Sequence, residues 1–418
     1  MSQRSSVYPN GPVAWIFNHY AGFPEDVPAT RTYELSRELQ RRGWNVTVIA
    51  CSFNHYTFVD DLGADGSRVQ ELLREGVRWV RIRAHPYEGN GTARLRNMLG
   101  YSSQALNWSR RQSPPDVVVG TTVHPFAAET ARRVARERNA RFVYEITDLW
   151  PESLVDLGSV RNGSATYRAM SWMERRALTD SDGVVGLMPK VPEYARSRYG
   201  VELDSFAYIP NGIRLTEDGE DVTPIPMRGR VAYAGGFARA HGLDTVIDAA
   251  GTLLSSHPHI TFDLYGDGPM RRDLEDRVLR NRLSNVVFHG LVPKASLWGH
   301  LREADVCLCT GQSLAVHRYG ISFNKLFDYF AVGRPVVFAV DSGNDPVTEA
   351  GAGLSVAAGD AAALAAAIAD LIDSPADVLQ HMGHRGRAFL QAHHSFSVLG
   401  ERLDGYLWTL LKANDGLV

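Results

Sequence analysis

Of the 44 basic residues in this chain only four are lysine: Lys190, Lys294, Lys325 and Lys412. Lys325 lies in the run Tyr319-Gly320-Ile321-Ser322-Phe323-Asn324-Lys325-Leu326-Phe327-Asp328-Tyr329. Gly320 frees the backbone there. If Asn324 onward is helical, the turn aims N–H groups and the lysine ammonium at an anion such as a diphosphate. Asp328 falls on a neighbouring helix face, where a carboxylate can grip ribose hydroxyls. The same run also reads as a capped amphipathic helix with Leu326, Phe327 and Phe330 in a core. The two readings are compatible, because they use different faces.

Three earlier segments carry further candidates. His19-Tyr20-Ala21-Gly22-Phe23-Pro24 follows a strand and opens toward a helix, so its N–H groups could receive a phosphate; an ordinary strand-to-helix loop explains it equally well. His124, in Thr121-Thr122-Val123-His124-Pro125, sits where a strand ends, and could orient a substrate or shuttle a proton. Its alternative is a structural histidine. Glu145, Asp148 and Glu152 surround the Trp150-Pro151 step. A carboxylate there could accept a sugar hydroxyl or act as a base, and Trp150 offers a ring face to a sugar. The competing reading is a helix N-cap with proline in the first turn.

Other patterns carry less. Gly266-Asp267-Gly268 follows a strand, but Arg271 interrupts the dinucleotide pattern. Asp180-Ser181-Asp182 precedes its strand and reads as a cap or turn. Cys307 and Cys309 share one strand face, and two thiols do not make a metal site.

Strand and helix patterns must position these groups. Strands are expected at 13–18, 45–51, 77–83, 116–119, 141–146 and 182–187, the last one closing the first half. Helices are expected at 31–42, ended by Gly43, and at about 127–139. The alternation restarts with strands at 230–234, 260–265, 286–289, 304–309 and 335–340, and with helices from about Gly242 and at 361–372. Residues 396–411 place Leu399, Leu403, Leu407 and Leu411 at helical spacing. This predicts an α/β chain of two doubly wound halves with parallel sheets. The junction falls at Tyr208-Ile209-Pro210-Asn211-Gly212. Ligands of such sheets bind beyond the carboxyl ends of strands, and two such halves would face one another across a cleft.

The composition is that of a two-domain globular protein: 418 residues, 44% hydrophobic and 22% charged. The apolar runs are too short to span a bilayer. Met1 to Pro9 is polar and lacks the apolar core of a signal peptide. Three cysteines support no disulfide framework, and a reduced cytoplasmic setting is expected. The net charge of −3 divides into +5 over residues 1–200 and −8 over residues 201–418. A mildly basic first half fits an anionic acceptor or a lipid surface, or simply solvated helix faces. Arg31, Arg94 and Arg96 are candidate anion contacts, with plain surface arginines as the alternative. No basic stripe calls for nucleic acid.

Asp148-Leu149-Trp150-Pro151-Glu152-Ser153, Ile209-Pro210-Asn211-Gly212-Ile213 and the Gly320 to Tyr329 run, in this order, resemble family 4 retaining glycosyltransferases. The bacterial L-fucosamine-transferase-like branch (WbuB-like) is the nearest in pattern. Tyr265-Gly266-Asp267-Gly268-Pro269 and Gly43-Trp44-Asn45-Val46 support the resemblance, which spans nearly the whole chain.

The resemblance implies a GT-B fold. Residues 1–208 with a returning C-terminal helix, 395–418, would form the acceptor-side domain, and residues 209–394 the nucleotide-sugar domain. Lys325 and the N–H groups near Gly320, Ile321 and Ser322 would hold the diphosphate, with Tyr319 alongside, and Asp328 the ribose. The backbone at Leu291 and Val292 would meet the base, and Gly235, Gly236 and Arg239 would line the donor. His124, Asp148 and Lys325 form the expected catalytic set; His19, Tyr20, Gly22 and Trp150 form the acceptor side. The expected reaction moves an N-acetylhexosamine-type sugar from a UDP-sugar to a small-molecule or lipid-linked acceptor, in surface-polysaccharide or natural-product biosynthesis. No metal or cofactor is expected, and peripheral contact with the inner membrane face is. Two departures stand out: Gly320 replaces the first acidic residue of the family motif, and Thr147 replaces an arginine before Leu-Trp-Pro. A UDP-sugar 2-epimerase of the same fold and a non-catalytic nucleotide-sugar-binding subunit are the alternatives.

Overall fold

A computed structural model describes residues 10–27, 30–62, 66–89, 91–215 and 223–413. The segment 1–9 and residues 414–418 of the expected last-helix segment lie outside the described residues. The chain divides into two compact units, residues 1–210 with 396–418, and residues 211–395.

The first unit runs β1 (Val13–Phe17), α1 (Arg31–Arg41), β2 (Asn45–Cys51), β3 (Val69–Arg74), β4 (Val77–Ile82), α2 (Thr92–Ser109), β5 (Val117–Thr121), α3 (Pro125–Arg138), β6 (Arg141–Ile146), α4 (Glu152–Asp156), α5 (Ala165–Asp180), β7 (Gly183–Gly186), α6 (Val191–Tyr199) and β8 (Phe206–Tyr208). Its eight strands lie in the order β3-β4-β2-β1-β5-β6-β7-β8. The β-branched runs NVTVIAC and VVVGT fill the centre, buried on both faces as a parallel sheet demands.

Two expectations are corrected here. The sheet is not wholly parallel: β3 pairs antiparallel with β4 at the edge. The turn between them, Glu75-Gly76, has positive φ at both residues (49° and 79°), the geometry of a two-residue hairpin. Nor does β7 close the half, because the three-residue β8 adds beyond it.

The second unit runs β9 (Arg230–Ala234), α7 (Leu243–Ser256), β10 (Thr261–Tyr265), α8 (Arg271–Arg280), β11 (Val286–Gly290), α9 (Lys294–Arg302), β12 (Val306–Thr310), α10 (Asn324–Ala331), β13 (Val336–Ala339), α11 (Pro346–Ala350), β14 (Gly353–Val356), α12 (Ala361–Ile372) and α13 (Ala376–His393). Its six strands lie in the order β11-β10-β9-β12-β13-β14, with every pairing parallel. One core, with Val231, Phe262 and Ile368, covers one face; another, with Cys307, Leu326 and Phe330, covers the other. The two thiols are therefore packing groups, fully buried.

The last helix, α14 (Phe396–Lys412), belongs to the first unit. It packs on α1, and Leu399, Leu403, Leu407 and Leu411 are buried together with Leu35 and Leu39. Asp404 receives the indole N–H of Trp44 at 2.8 Å.

Candidate active site

In the second unit the candidates gather where β9 and β10 end and α10 begins. Lys325 is the second residue of α10 and half-buried. Its Nζ lies 3.0 Å from the Tyr233 hydroxyl, 3.4 Å from His241 Nδ1 and 4.6 Å from the centre of the Tyr233 ring. Tyr233 in turn donates to the Gly236 carbonyl at 2.9 Å. The Tyr329 hydroxyl pins α10 to β9, accepting from Ala234 N–H at 2.8 Å and donating to its carbonyl at 3.2 Å. Burial brings the Lys325 ammonium down from 10.5 to about 8. Burial, with Lys325 beside it, brings His241 down to about 3. The lysine is thus a cation short of solvent and, among the described residues, without a carboxylate on its Nζ, a condition that an arriving phosphate would relieve.

The glycines around it are there for space. A Cβ on Gly235 would stand 3.2 Å from Lys325 Cε and 3.0 Å from the Tyr233 hydroxyl. One on Gly266 would lie 1.8 Å from the Gly235 carbonyl, and one on Gly268 2.8 Å from the Phe237 backbone. The Gly266-Asp267-Gly268 segment is therefore the support on which the Gly235-Gly236 loop rests, joined by Phe237 N–H to Asp267 O at 2.8 Å. Arg239 is exposed in a 3-10 turn, and Phe237 is fully buried in the core.

The Gly320 to Ser322 loop is differently employed. Gly320 N–H donates to the His317 carbonyl and Ile321 N–H to Asn344 Oδ1, both at 2.8 Å. Ser322 accepts from Asn211 N–H at 2.8 Å. Each N–H carries one hydrogen, so Gly320 and Ile321 are already spent inside the unit, unlike the free donors expected for them. Tyr319 is buried, its hydroxyl accepting from Arg318 at 2.7 Å. Leu291 is exposed in the loop after β11, and Val292 packs partly against the core. Asp328 is buried, its carboxylate held by Lys294 and by Trp298 Nε1–H at 2.9 Å.

In the first unit a second group gathers beyond β1 and β5. The His19 and His124 rings meet edge-on at 4.6 Å between centroids. His124 caps α3, its Nδ1 accepting from Ala127 N–H at 3.2 Å. His19 Nε2 pairs with Asn97 Oδ1 at 2.8 Å. Each imidazole retains one buried nitrogen with no hydrogen-bond partner, His124 Nε2 and His19 Nδ1. Burial holds both neutral, His19 down to about 3 and His124 well below the usual range. Given its bonds, His124 carries its proton on Nε2 and His19 keeps Nδ1 as an acceptor. Tyr20 stacks on His55 at 4.9 Å, and its hydroxyl accepts from Arg94 at 3.0 Å. Gly22 stands where a Cβ would strike Val27. The cavity shared by His19, Tyr20, Gly22 and His55 measures about 10 Å³, room for a single water.

The carboxylates near Trp150 have separate duties. Glu145 is buried, bound by Arg31 Nε at 2.9 Å and Thr121 Oγ1 at 2.7 Å. That ion pair corrects the reading of Arg31 as an anion contact, since Arg31 also donates to the Pro210 carbonyl at 2.5 Å. Glu152 is taken by Arg198 and by the Tyr167 hydroxyl. Asp148 is exposed beside a half-buried Trp150. Asp182 binds Arg141 and the Phe142 N–H, a strand clamp and not a metal ligand pair.

Sequence reading missed His55, Asn97, Lys294 and Trp298. Their contacts span tens of residues; His19 and Asn97 are 78 apart. Only Lys294 carried a signal, the scarcity of lysine.

No helix among the described residues is long and apolar enough to cross a membrane. A family model described as a glycosyl transferase 4-like domain matches residues 28–212, and one described as glycosyl transferases group 1 matches residues 228–374. A curated relative, the GDP-mannose-dependent monoacylated alpha-(1-6)-phosphatidylinositol monomannoside mannosyltransferase of Corynebacterium glutamicum, is 25% identical over 73% of this chain and 84% of its own. Among solved structures, a sucrose-phosphate synthase from Thermosynechococcus elongatus superposes with a TM-score of 0.73 at 20% identity, covering 97% of this chain and 100% of that one. Anabaena HepE in complex with UDP and glucose does so at 0.65 and 13%, covering 96% and 100%. These structural likenesses establish the fold. With a glycosyltransferase model matched to each half, the chain belongs to the GT-B glycosyltransferases of the family 4 type.

Proposed function

We propose that this glycosyltransferase draws its sugar from a nucleoside-diphosphate sugar held by the second unit and passes it, with retention of configuration, to an acceptor hydroxyl met by the first. The observation that carries the donor half is Lys325, a half-buried ammonium brought down to about 8 at the start of α10. Charge building on a departing diphosphate is what such a cation stabilises, and a water-poor site strengthens the interaction. Asp328 lies one helical turn further on the ribose side, with Gly235 and Gly236 leaving room and the Leu291-Val292 loop toward the base.

On the acceptor side the scheme uses His124, whose Nε2–H is unpaired, and Asp148, an exposed residue whose carboxyl is raised by desolvation to about 6. Trp150 offers a ring face. Attack on the leaving-group side retains configuration, and Lys325 supplies the positive charge that a divalent metal would otherwise bring. UDP-N-acetylhexosamine is the first donor to test. The Corynebacterium relative is named for GDP-mannose and the Anabaena structure for UDP and glucose, so GDP-mannose and UDP-glucose complete the panel. The acceptor class is a sugar that is free or lipid-linked, the latter read by a peripheral protein at the membrane face; the Corynebacterium relative is named for a phosphatidylinositol acceptor.

Titration calorimetry of UDP and GDP against wild type and Lys325→Ala tests the reading. Loss of a charge-assisted contact worth about 1.5–3 kcal/mol weakens binding by about 10- to 100-fold. An unchanged dissociation constant would remove Lys325 from the donor site. Proton NMR of the product, with chelator present, reads the anomeric outcome and the independence from metal.

A further inference from the structure

The loop before α10 is gripped by two asparagines that belong to neither. After β13 the chain turns through Asp341-Ser342-Gly343-Asn344, and the Asp345 carboxylate then caps α11. Asn344 is half-buried in that turn, and its side chain bonds both backbone groups of Ile321. Its Oδ1 accepts the Ile321 N–H at 2.8 Å, and its Nδ2 donates to the Ile321 carbonyl at 3.1 Å. An amide carries one acceptor and a pair of donors, so it can hold a residue as a neighbouring strand would. The turn lies close against the loop: Gly343 N–H donates to the His317 carbonyl at 2.8 Å, and a Cβ on Gly343 would stand 2.1 Å from the Arg318 carbonyl.

Asn211 treats the next residue, Ser322, in the same way. Its N–H donates to Ser322 Oγ at 2.8 Å and its Nδ2 to the Ser322 carbonyl at 2.9 Å. Asn211 is itself fixed. His394 Nδ1 lies 3.1 Å from its carbonyl, and the buried His394 ring packs on Phe327 of α10 at 4.6 Å between centroids. With Gly320 and Ile321 spent, the Ser322 N–H has no partner among the described residues. The helix that follows begins without a capping side chain, so the N–H groups of its first turn are open as well, next to Lys325.

We propose that Asn344 and Asn211 are positioning residues of the donor site, bracing Ile321 and Ser322 so that the Ser322 N–H is presented to the diphosphate beside the start of α10. The proposal rests on the nucleotide-sugar reading of this site. Neither asparagine touches the nucleotide; each acts through the loop it holds.

Hydrogen exchange at residue resolution on the wild-type chain, with and without UDP or GDP, is the first test. The Ile321 amide should exchange slowly in both states. The Ser322 amide should exchange fast alone and slowly with the nucleotide. Calorimetry and melting curves of Asn344→Ala and Asn211→Ala are the second. Each variant should weaken nucleotide binding about 3- to 10-fold, the equivalent of one neutral hydrogen bond. In Asn344→Ala the Ile321 amide should also become fast, and the nucleotide should no longer slow Ser322 fully. A lower melting temperature with unchanged nucleotide affinity would make the asparagines supports of the fold alone and overturn the proposal. So would a Ser322 amide that is slow without nucleotide, or that stays fast with it. Should either variant fail to fold, the wild-type exchange pattern decides. All of these leave the donor reading intact, because wild type still binds. If wild type binds neither UDP nor GDP, the donor reading itself fails and this proposal with it.

Discussion

Lys325 is a cation in a half-buried place, and its protonation is therefore tied to whatever it binds. Its value in the folded chain, about 8, lies below the 10.5 of a free lysine. On the proposed donor reading, an incoming diphosphate favours the charged form and raises that value. Nucleotide affinity is therefore fully present below pH 8 and declines as pH rises through 8 toward 10. Calorimetry at pH 9 in buffers of different ionisation enthalpy should show proton uptake on binding, and little at pH 7. Without ligand the sign reverses for stability. Between pH 8 and 10.5 the unfolded chain binds the proton that the folded chain has released, so folding stability from this group rises across that window. Lys325 was legible in the sequence because lysine is scarce and because a glycine and a helix start flank it. Lys294 was equally scarce, but its meaning depends on Asp328, 34 positions away, and no local pattern joins them. The imidazole pair was half visible: His19 and His124 each end a strand, yet only the fold sets their rings 4.6 Å apart.

Elements hold these residues through close approaches of backbone. Gly266, at φ 138°, faces the Gly235 carbonyl at a distance no Cβ tolerates. Gly266→Ala should cost about 2–4 kcal/mol and displace the Gly235 loop beneath Lys325, lowering both the melting temperature and UDP affinity. Gly299 in α9 has nothing within 4 Å of its missing Cβ, so Gly299→Ala should raise stability by about 0.5–1 kcal/mol. The contrast separates a spacing glycine from an incidental one. On α5, Glu174 is buried against the Tyr144 hydroxyl of β6, and burial raises its carboxyl from 4.5 to about 8. The unfolded chain releases this proton first, so its contribution to stability is present below pH 4.5 and lost as pH rises to 8. Relative to Glu174→Gln, wild type should therefore lose melting temperature between pH 5 and 8. The central strands were readable because β-branched runs must be buried on both faces. β3 was not, since VQELLR is a half-exposed edge. Nor was α2, whose Gly100, Ser102 and Ser103 blur the helical period, nor the three residues of β8.

At the scale of the molecule, strand–helix alternation that restarts at Arg230 displayed two α/β halves before any coordinate. Pattern alone could not assign the last helix to a half: its leucine stripe shows that a face is buried, not against what. The structure places that stripe in the first unit's core. Leu407 is fully buried there. Leu407→Ala should therefore cost about 2–5 kcal/mol and lower the first unit's transition in a calorimetric scan, leaving that of the second in place. Simultaneous lowering of both transitions by the same amount would show that the units unfold as one.

The same helix orders the birth of the protein. The first unit's core joins strands made before the second unit to residues 396–411, made after it. On a ribosome the second unit, continuous from 211 to 395, is complete while the first still presents the bare α1 face that α14 will cover. A chain released after residue 395 should therefore carry a protease-resistant second unit and a chaperone-binding first one. His19 and His124 sit in the unit that is completed after the second, so, on the proposed scheme, donor binding should be acquired during synthesis before transfer is.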